Sequence, residues 1–184
     1  MIIYAKREYK KIMANTVCPH CGSKNTEALE NYEKCLDCGM SFGREEVADN
    51  GESLIKAVHG LRFRYGDVVS GSVRLRMAED SGVCVFEVYD ANNGGVDKVA
   101  DVISMDEWNK IKETLFHKLY LADWDKTYIP VNDGKTVSDN NEWELGLDVG
   151  DDEELVYRGY DAFPPYWKGF MKVLDPFFAR LNRE

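Results

Sequence analysis

From Leu61 the chain alternates with a period of two: Leu61, Phe63 and Tyr65 fall on one side, Arg62 and Arg64 on the other. Val73, Leu75 and Met77 repeat the arrangement against Arg74 and Arg76. Both segments read as half-buried strands. Val83–Tyr89 (VCVFEVY) is almost continuously apolar and is entered through the turn formers Asp80-Ser81-Gly82. Asn92-Asn93-Gly94-Gly95 is a turn signal before a fourth strand at Val96–Ile103. Such short spacing leaves no room for crossover helices, so the strands are expected to be antiparallel hairpins.

The period then changes. Ser104 can cap a helix, with Asp106 and Glu107 in its first turn, and Trp108, Ile111, Leu115 and Leu119 recur at helical spacing to about Tyr120. That stripe reads as core. After a loop holding Asp133-Gly134, Trp143, Leu145 and Leu147 alternate with Glu142, Glu144 and Asp148. Asp151–Glu154 turns into a last strand, Leu155–Tyr160. Pro164-Pro165 ends the sheet and opens a helix whose apolar face is Trp167, Phe170, Met171 and Leu174. Asp175-Pro176 is expected to break that helix and recap a short piece with Phe178 and Leu181. Four strands, a helix, two strands and a helix make an α+β fold: a mostly antiparallel sheet with helices packed on one face.

Upstream the sequence is of another kind. Residues 3–13 have helical spacing and gather Lys6, Arg7, Lys10 and Lys11, which reads as a solvated helix or arm. Cys18–Gly39 then holds two Cys-x-x-Cys-Gly pairs, Cys18/Cys21 and Cys35/Cys38, thirteen residues apart. Four thiolates at this spacing can reach one tetrahedral Zn²⁺, and the glycines suit turns that aim backbone amides at sulfur. The segment from about 15 to 44 resembles a zinc ribbon. With four protein ligands the metal would be structural, with no open position for water. Iron bound as in rubredoxin has the same ligand set, and a thioredoxin-like role is disfavoured because neither pair opens a helix after a buried strand. The acidic run GREEVADNGES after Phe42 reads as a boundary. The expected organisation is therefore residues 1–44 (helix and ribbon), 45–58 (link) and 59–184 (α+β domain).

Charge sharpens this division. Residues 1–44 carry 7 Lys/Arg against 5 Asp/Glu, a net +2, and residues 45–184 carry 16 against 28, a net −12. So acidic a body is repelled by phosphate backbones, which leaves nucleic-acid contact to residues 1–44 alone. Cysteines paired for metal, with no apolar run of membrane length and charged residues from Lys6 onward, point to a reducing, cytoplasmic setting and no membrane partner.

Other candidates carry less. His20 lies inside the first knuckle and is expected to be exposed, not ligating. Cys84, in an apolar strand with no adjacent base, reads as a small core residue. Arg62, Arg64, Arg74 and Arg76 can form a cationic stripe on the solvent face of two adjacent strands, a candidate anion- or partner-binding surface; cross-strand pairing with Glu87, Glu142, Glu144 or neighbouring acids is the plainer reading. The nine acids from Asp139 to Asp161 read as a solvated face, and Asp148, Asp151, Asp152 and Glu154 lack the alternation of a calcium loop. Asp123/Asp125 and Glu142/Glu144 are carboxylate pairs without an evident pocket, so no catalytic residue is assigned. Tyr160, Phe163, Tyr166 and Trp167 flank Pro164-Pro165, part core and part docking platform.

Leu121-Ala-Asp-Trp-Asp, Trp143-Glu-Leu-Gly-Leu and Gly159-Tyr-Asp-Ala-Phe-Pro-Pro-Tyr-Trp167 together resemble a small bacterial domain to which no established activity attaches. Asp161 and Phe163 stand where that pattern more often has Asn and Tyr. The resemblance spans about 60–180 and supports architecture alone. The sequence thus points to a zinc-binding protein acting as a protein- or nucleic-acid-interaction module, with an enzyme using carboxylate chemistry as the alternative.

Overall fold

The computed structural model describes residues 16–49, 51–67, 71–91, 97–130, 141–150 and 153–181. The expected N-terminal helix with its four basic residues, the Asn92–Gly95 turn, the Asp133-Gly134 loop and Asp151 and Asp152 lie outside them.

A small three-stranded antiparallel sheet comes first: β1 (Thr26–Ala28), β2 (Glu33–Cys35) and β3 (Ser41–Phe42). A single helical turn, α1 (Leu54–Ala57), leads into β4 (Val58–Asp67), β5 (Gly71–Asp80), β6 (Val83–Ala91) and β7 (Asp97–Ser104). Helix α2 (Met105–Glu113) follows, then β8 (Thr127–Tyr128), β9 (Glu142–Val149), β10 (Glu153–Tyr160) and helix α3 (Trp167–Phe178). Among the described residues the large sheet has seven strands, in the order β7-β6-β5-β4-β9-β10-β8. Every pairing is antiparallel except β8 with β10, which makes the sheet mixed. The two-residue β8, inside what read as loop, is too short to leave a periodic signal.

Period-two alternation sorts the two faces as the sequence requires. Leu61, Phe63, Leu75, Met77, Phe86, Val88, Leu145, Leu147 and Tyr157 are buried on one face, against Trp108, Leu115, Phe170, Leu174 and Phe177 from the helices. Phe63 meets Phe170 edge-on at 5.1 Å and Phe86 meets Phe177 at 5.0 Å. Each fully buried large side chain contributes about 1.5–3 kcal/mol relative to exposure. Cys84 is buried in the same core, and burial pushes its thiol up to about 11, so it is a protonated core residue at neutral pH.

Helix α3 departs from expectation. Pro176 lies inside it and does not divide it. Proline's φ is helical and only one hydrogen bond near the C-terminus is lost, while Phe177 remains packed on Phe86. Between residues 45 and 58, Ala48, Leu54, Ala57 and Val58 belong to the main core, and Val47 bridges to Ser53. Among the described residues no helix is long and apolar enough to cross a membrane.

Candidate metal centre and the cationic sheet face

The two Cys-x-x-Cys segments fold alike. In each, the glycine after the second cysteine donates its amide to the carbonyl of the first: Gly22 to Cys18 at 2.9 Å and Gly39 to Cys35 at 3.0 Å. Gly22 has φ 74° and Gly39 φ 77°, in the left-handed region where a Cβ is disfavoured. This closes each knuckle and turns amides onto sulfur. The amides of Cys21 and His20 point at the Cys18 sulfur, and those of Cys38 and Asp37 at Cys35. Burial pushes Cys18 up to about 12, whereas these amides, Cys38 foremost, draw Cys35 down to about 7.

The strand register brings the knuckles together: Thr26 stands opposite Cys35, and Leu36 donates its amide to Asn25. All five cysteines are free thiols, and the sulfurs of Cys18, Cys21, Cys35 and Cys38 lie within 4.8 Å of one another. Cys18 to Cys38 is 3.7 Å and Cys21 to Cys35 is 3.6 Å. A tetrahedron of metal–sulfur bonds near 2.3 Å has S–S edges of about 3.8 Å, so the donor set fits a four-coordinate thiophilic ion. Cys18 and Cys35 are buried while Cys21 and Cys38 are exposed, so the cluster has a protected side and an outer one.

The protected side faces Phe42, Tyr120 and Tyr166. Helix α2 widens into a π turn at Thr114–Lys118, and Tyr120 then adopts φ 51°, which stops the helix. The buried indole of Trp124 donates to the freed Leu119 carbonyl at 2.8 Å and holds this corner. Tyr120 is thereby turned into a second small core with Cys18, Cys35 and Phe42, packed also by Tyr166. Phe42 meets Tyr120 edge-on at 5.2 Å. Gly43 donates its amide to Asp123 Oδ2 at 2.8 Å, and burial raises the Asp123 carboxyl above its usual range. His20 is half-buried, not exposed, and its Nδ1 lies 3.4 Å from Asp125 Oδ1; it is not among the clustered donors.

The sheet face opposite the helices carries the four arginines. Register places Arg62 opposite Arg76 and Arg64 opposite Arg74. Arg62 pairs with Asp148 at 2.9 Å and Glu154 at 2.5 Å, and Arg64 with Glu142 at 3.1 Å. The pairing expected with Glu87 and Glu144 goes elsewhere: Glu144 binds Arg158 at 2.8 Å and Glu87 binds Lys98 at 2.8 Å. A shallow groove follows the arginines, with Tyr89 at one side. The carboxylate pairs noted in the sequence are dispersed, Asp123 on Gly43, Asp125 on His20, Glu142 on Arg64 and Glu144 on Arg158.

Among the described residues, the buried polar side chains Glu33, Ser72 and Lys112 escaped the sequence. Lys112 is buried, its Nζ donating to the Val58 carbonyl and to Glu79 Oε1, each at 3.0 Å, while the Trp108 indole donates to the same Glu79 oxygen at 2.7 Å. A lysine one residue beyond Ile111 in an amphipathic helix gives no signal of this kind.

Compared with known proteins, the chain matches no family model, no curated protein and no solved structure.

Proposed function

We propose that Cys18, Cys21, Cys35 and Cys38 hold one structural Zn²⁺ in a zinc ribbon, and that the chain is a cytoplasmic interaction module built from this ribbon and the acidic α+β domain. The observation that carries the metal assignment is the pair of 3.6–3.7 Å sulfur separations inside a cluster no wider than 4.8 Å. Zn²⁺ supplies a redox-inert cross-link, and four protein thiolates leave it no vacant position for a reacting water. Residues 16–43 contain few large buried apolar side chains besides Phe42, so metal binding free energy supplies the folding free energy of that segment.

The module reading is supported by the way the carboxylates are spent. Among the described residues, Asp123 serves the Gly43 amide, Asp125 the His20 imidazole, and Glu142 and Glu144, which line one small pocket, are each held by an arginine. Contact with nucleic acid, if made, belongs to residues 1–44; a protein partner belongs to the acidic body or its seam with the ribbon. The test is Cys35→Ser in the full chain. Zinc is expected to be lost, amide resonances of 16–43 to collapse, and those of β4–β10 to persist. Retention of one zinc per chain with an unchanged amide spectrum would sink the assignment.

A further inference from the structure

The arginine face contains an electrostatic arrangement that the fold alone does not require. Arg62/Arg76 and Arg64/Arg74 are two like-charge pairs standing directly opposite across β4 and β5. Such pairs destabilise a sheet unless counter-charges are present. On the β4 side those counter-charges are provided by Asp148, Glu154 and Glu142. On the β5 side they are withheld. Glu87 stands opposite Arg76 but gives one oxygen to Lys98 and accepts the Tyr89 hydroxyl on the other at 3.1 Å. It acts on Arg76 only through the field between them. Glu144 faces Arg64 but is taken by Arg158. Among the described residues, the exposed side chains of Arg74 and Arg76 make no ion pair, in a body of net charge −12.

We propose that Arg74 and Arg76, with Arg62 and Arg64 behind them, form a docking site for an extended peptide of a partner protein carrying acidic side chains at alternate positions. The spacing is matched. Side chains two apart on a strand lie about 6.8 Å from one another, and an extended ligand laid along β5 offers its own alternate carboxylates at the same interval. Guanidinium forks take carboxylates two oxygens at a time, which gives direction as well as charge. A nucleic acid carries its charge well beyond the four arginines, onto a surface that repels it; two carboxylates load only the cationic patch. The inference rests on the reading of the chain as an interaction module and is independent of the zinc.

The test is fluorescence anisotropy with the zinc-loaded full chain and a short labelled Ser/Gly peptide carrying Glu at two alternate positions. Its controls are the Gln counterpart and a single-stranded oligonucleotide. Saturable binding of the Glu peptide is expected, weakened about tenfold or more by Gln replacement and by R74Q/R76Q, and unaffected by K110Q/K172Q, which removes the same charge from the helices. R74Q/R76Q is expected to melt at or above the wild-type temperature. Absence of saturable binding, equal binding by R74Q/R76Q, or tighter binding of the oligonucleotide through the same arginines would overturn the proposal. A cellular partner held equally by wild type and R74Q/R76Q would overturn this site while leaving the module reading intact.

Discussion

The Tyr166 hydroxyl and the backbone of Val17 hold each other twice: the hydroxyl donates to the Val17 carbonyl at 2.7 Å and accepts the Val17 amide at 3.0 Å. Burial pushes the phenol up to about 12, so it stays a donor at neutral pH. One side chain just ahead of α3 thus clamps the strand of chain that enters the first knuckle. Tyr166→Phe keeps the ring against Tyr120 and leaves both backbone groups half-buried and unpaired. A loss of about 1–3 kcal/mol is expected, read as a lowered Tm together with faster zinc loss to a chelator. An unchanged release rate would mean that the clamp and the metal are not coupled.

Asp123 bears on the same seam. Its carboxyl is raised chiefly by burial, against the pull of the Gly43 amide. A carboxyl raised in the folded state is destabilising when ionised, and that penalty is present above the raised value and fades as pH falls towards the unfolded one. Asp123→Asn keeps an acceptor for Gly43 and removes the penalty. Its Tm is expected to equal or exceed wild type at neutral pH, with the gap narrowing as pH falls. A gap that widens on acidification would show the opposite linkage.

Lys112 is the buried cation whose loss leaves most behind. Lys112→Met fills the space but strands the Val58 carbonyl and one side of Glu79, whose side chain retains 30% exposure. That partial exposure places the cost below that of a fully buried pair, at about 1–3 kcal/mol by urea denaturation. Glu79→Gln still accepts from Trp108 and Lys112 but leaves the more deeply buried ammonium without a counter-charge, and is expected to cost at least as much.

Gly159 allows the Trp143 indole to lie where any Cβ would stand, and that indole donates to the Ala162 carbonyl at 2.8 Å. Gly159→Ala therefore displaces Trp143 from the aromatic stack it forms with Trp167 at 5.0 Å. Overpacking costs about 1–3 kcal/mol. A matching change in tryptophan fluorescence locates the effect.

These residues mark where sequence reading worked and where it stopped. The strands β4–β6 and β9–β10 are legible because one face is buried, so Leu61 to Tyr65 and Trp143 to Leu147 must alternate; β7, where Ile103 alone is buried, is marked instead by the turn formers before it. The knuckles were legible because metal chemistry fixes cysteine spacing and its glycines. The Gly159–Trp167 pattern now has a physical sense: Asp161 sits at φ 48°, a setting Asn and Asp tolerate, and accepts the Asn141 amide at 3.1 Å. What could not be read was long-range. Nothing local tells that Tyr120 turns towards Cys18, that Lys112 is buried on Glu79, or that Glu87 is diverted from Arg76 to Lys98. Those outcomes depend on which elements meet in three dimensions.

The central claim is a four-thiolate zinc centre seated on the sheet domain. X-ray absorption at the zinc edge, with metal content measured on the same sample, tests it most directly. One zinc per chain with four sulfur neighbours at about 2.3 Å is the expected result. Zinc with nitrogen or oxygen neighbours, or a folded chain that takes up no metal, would contradict it.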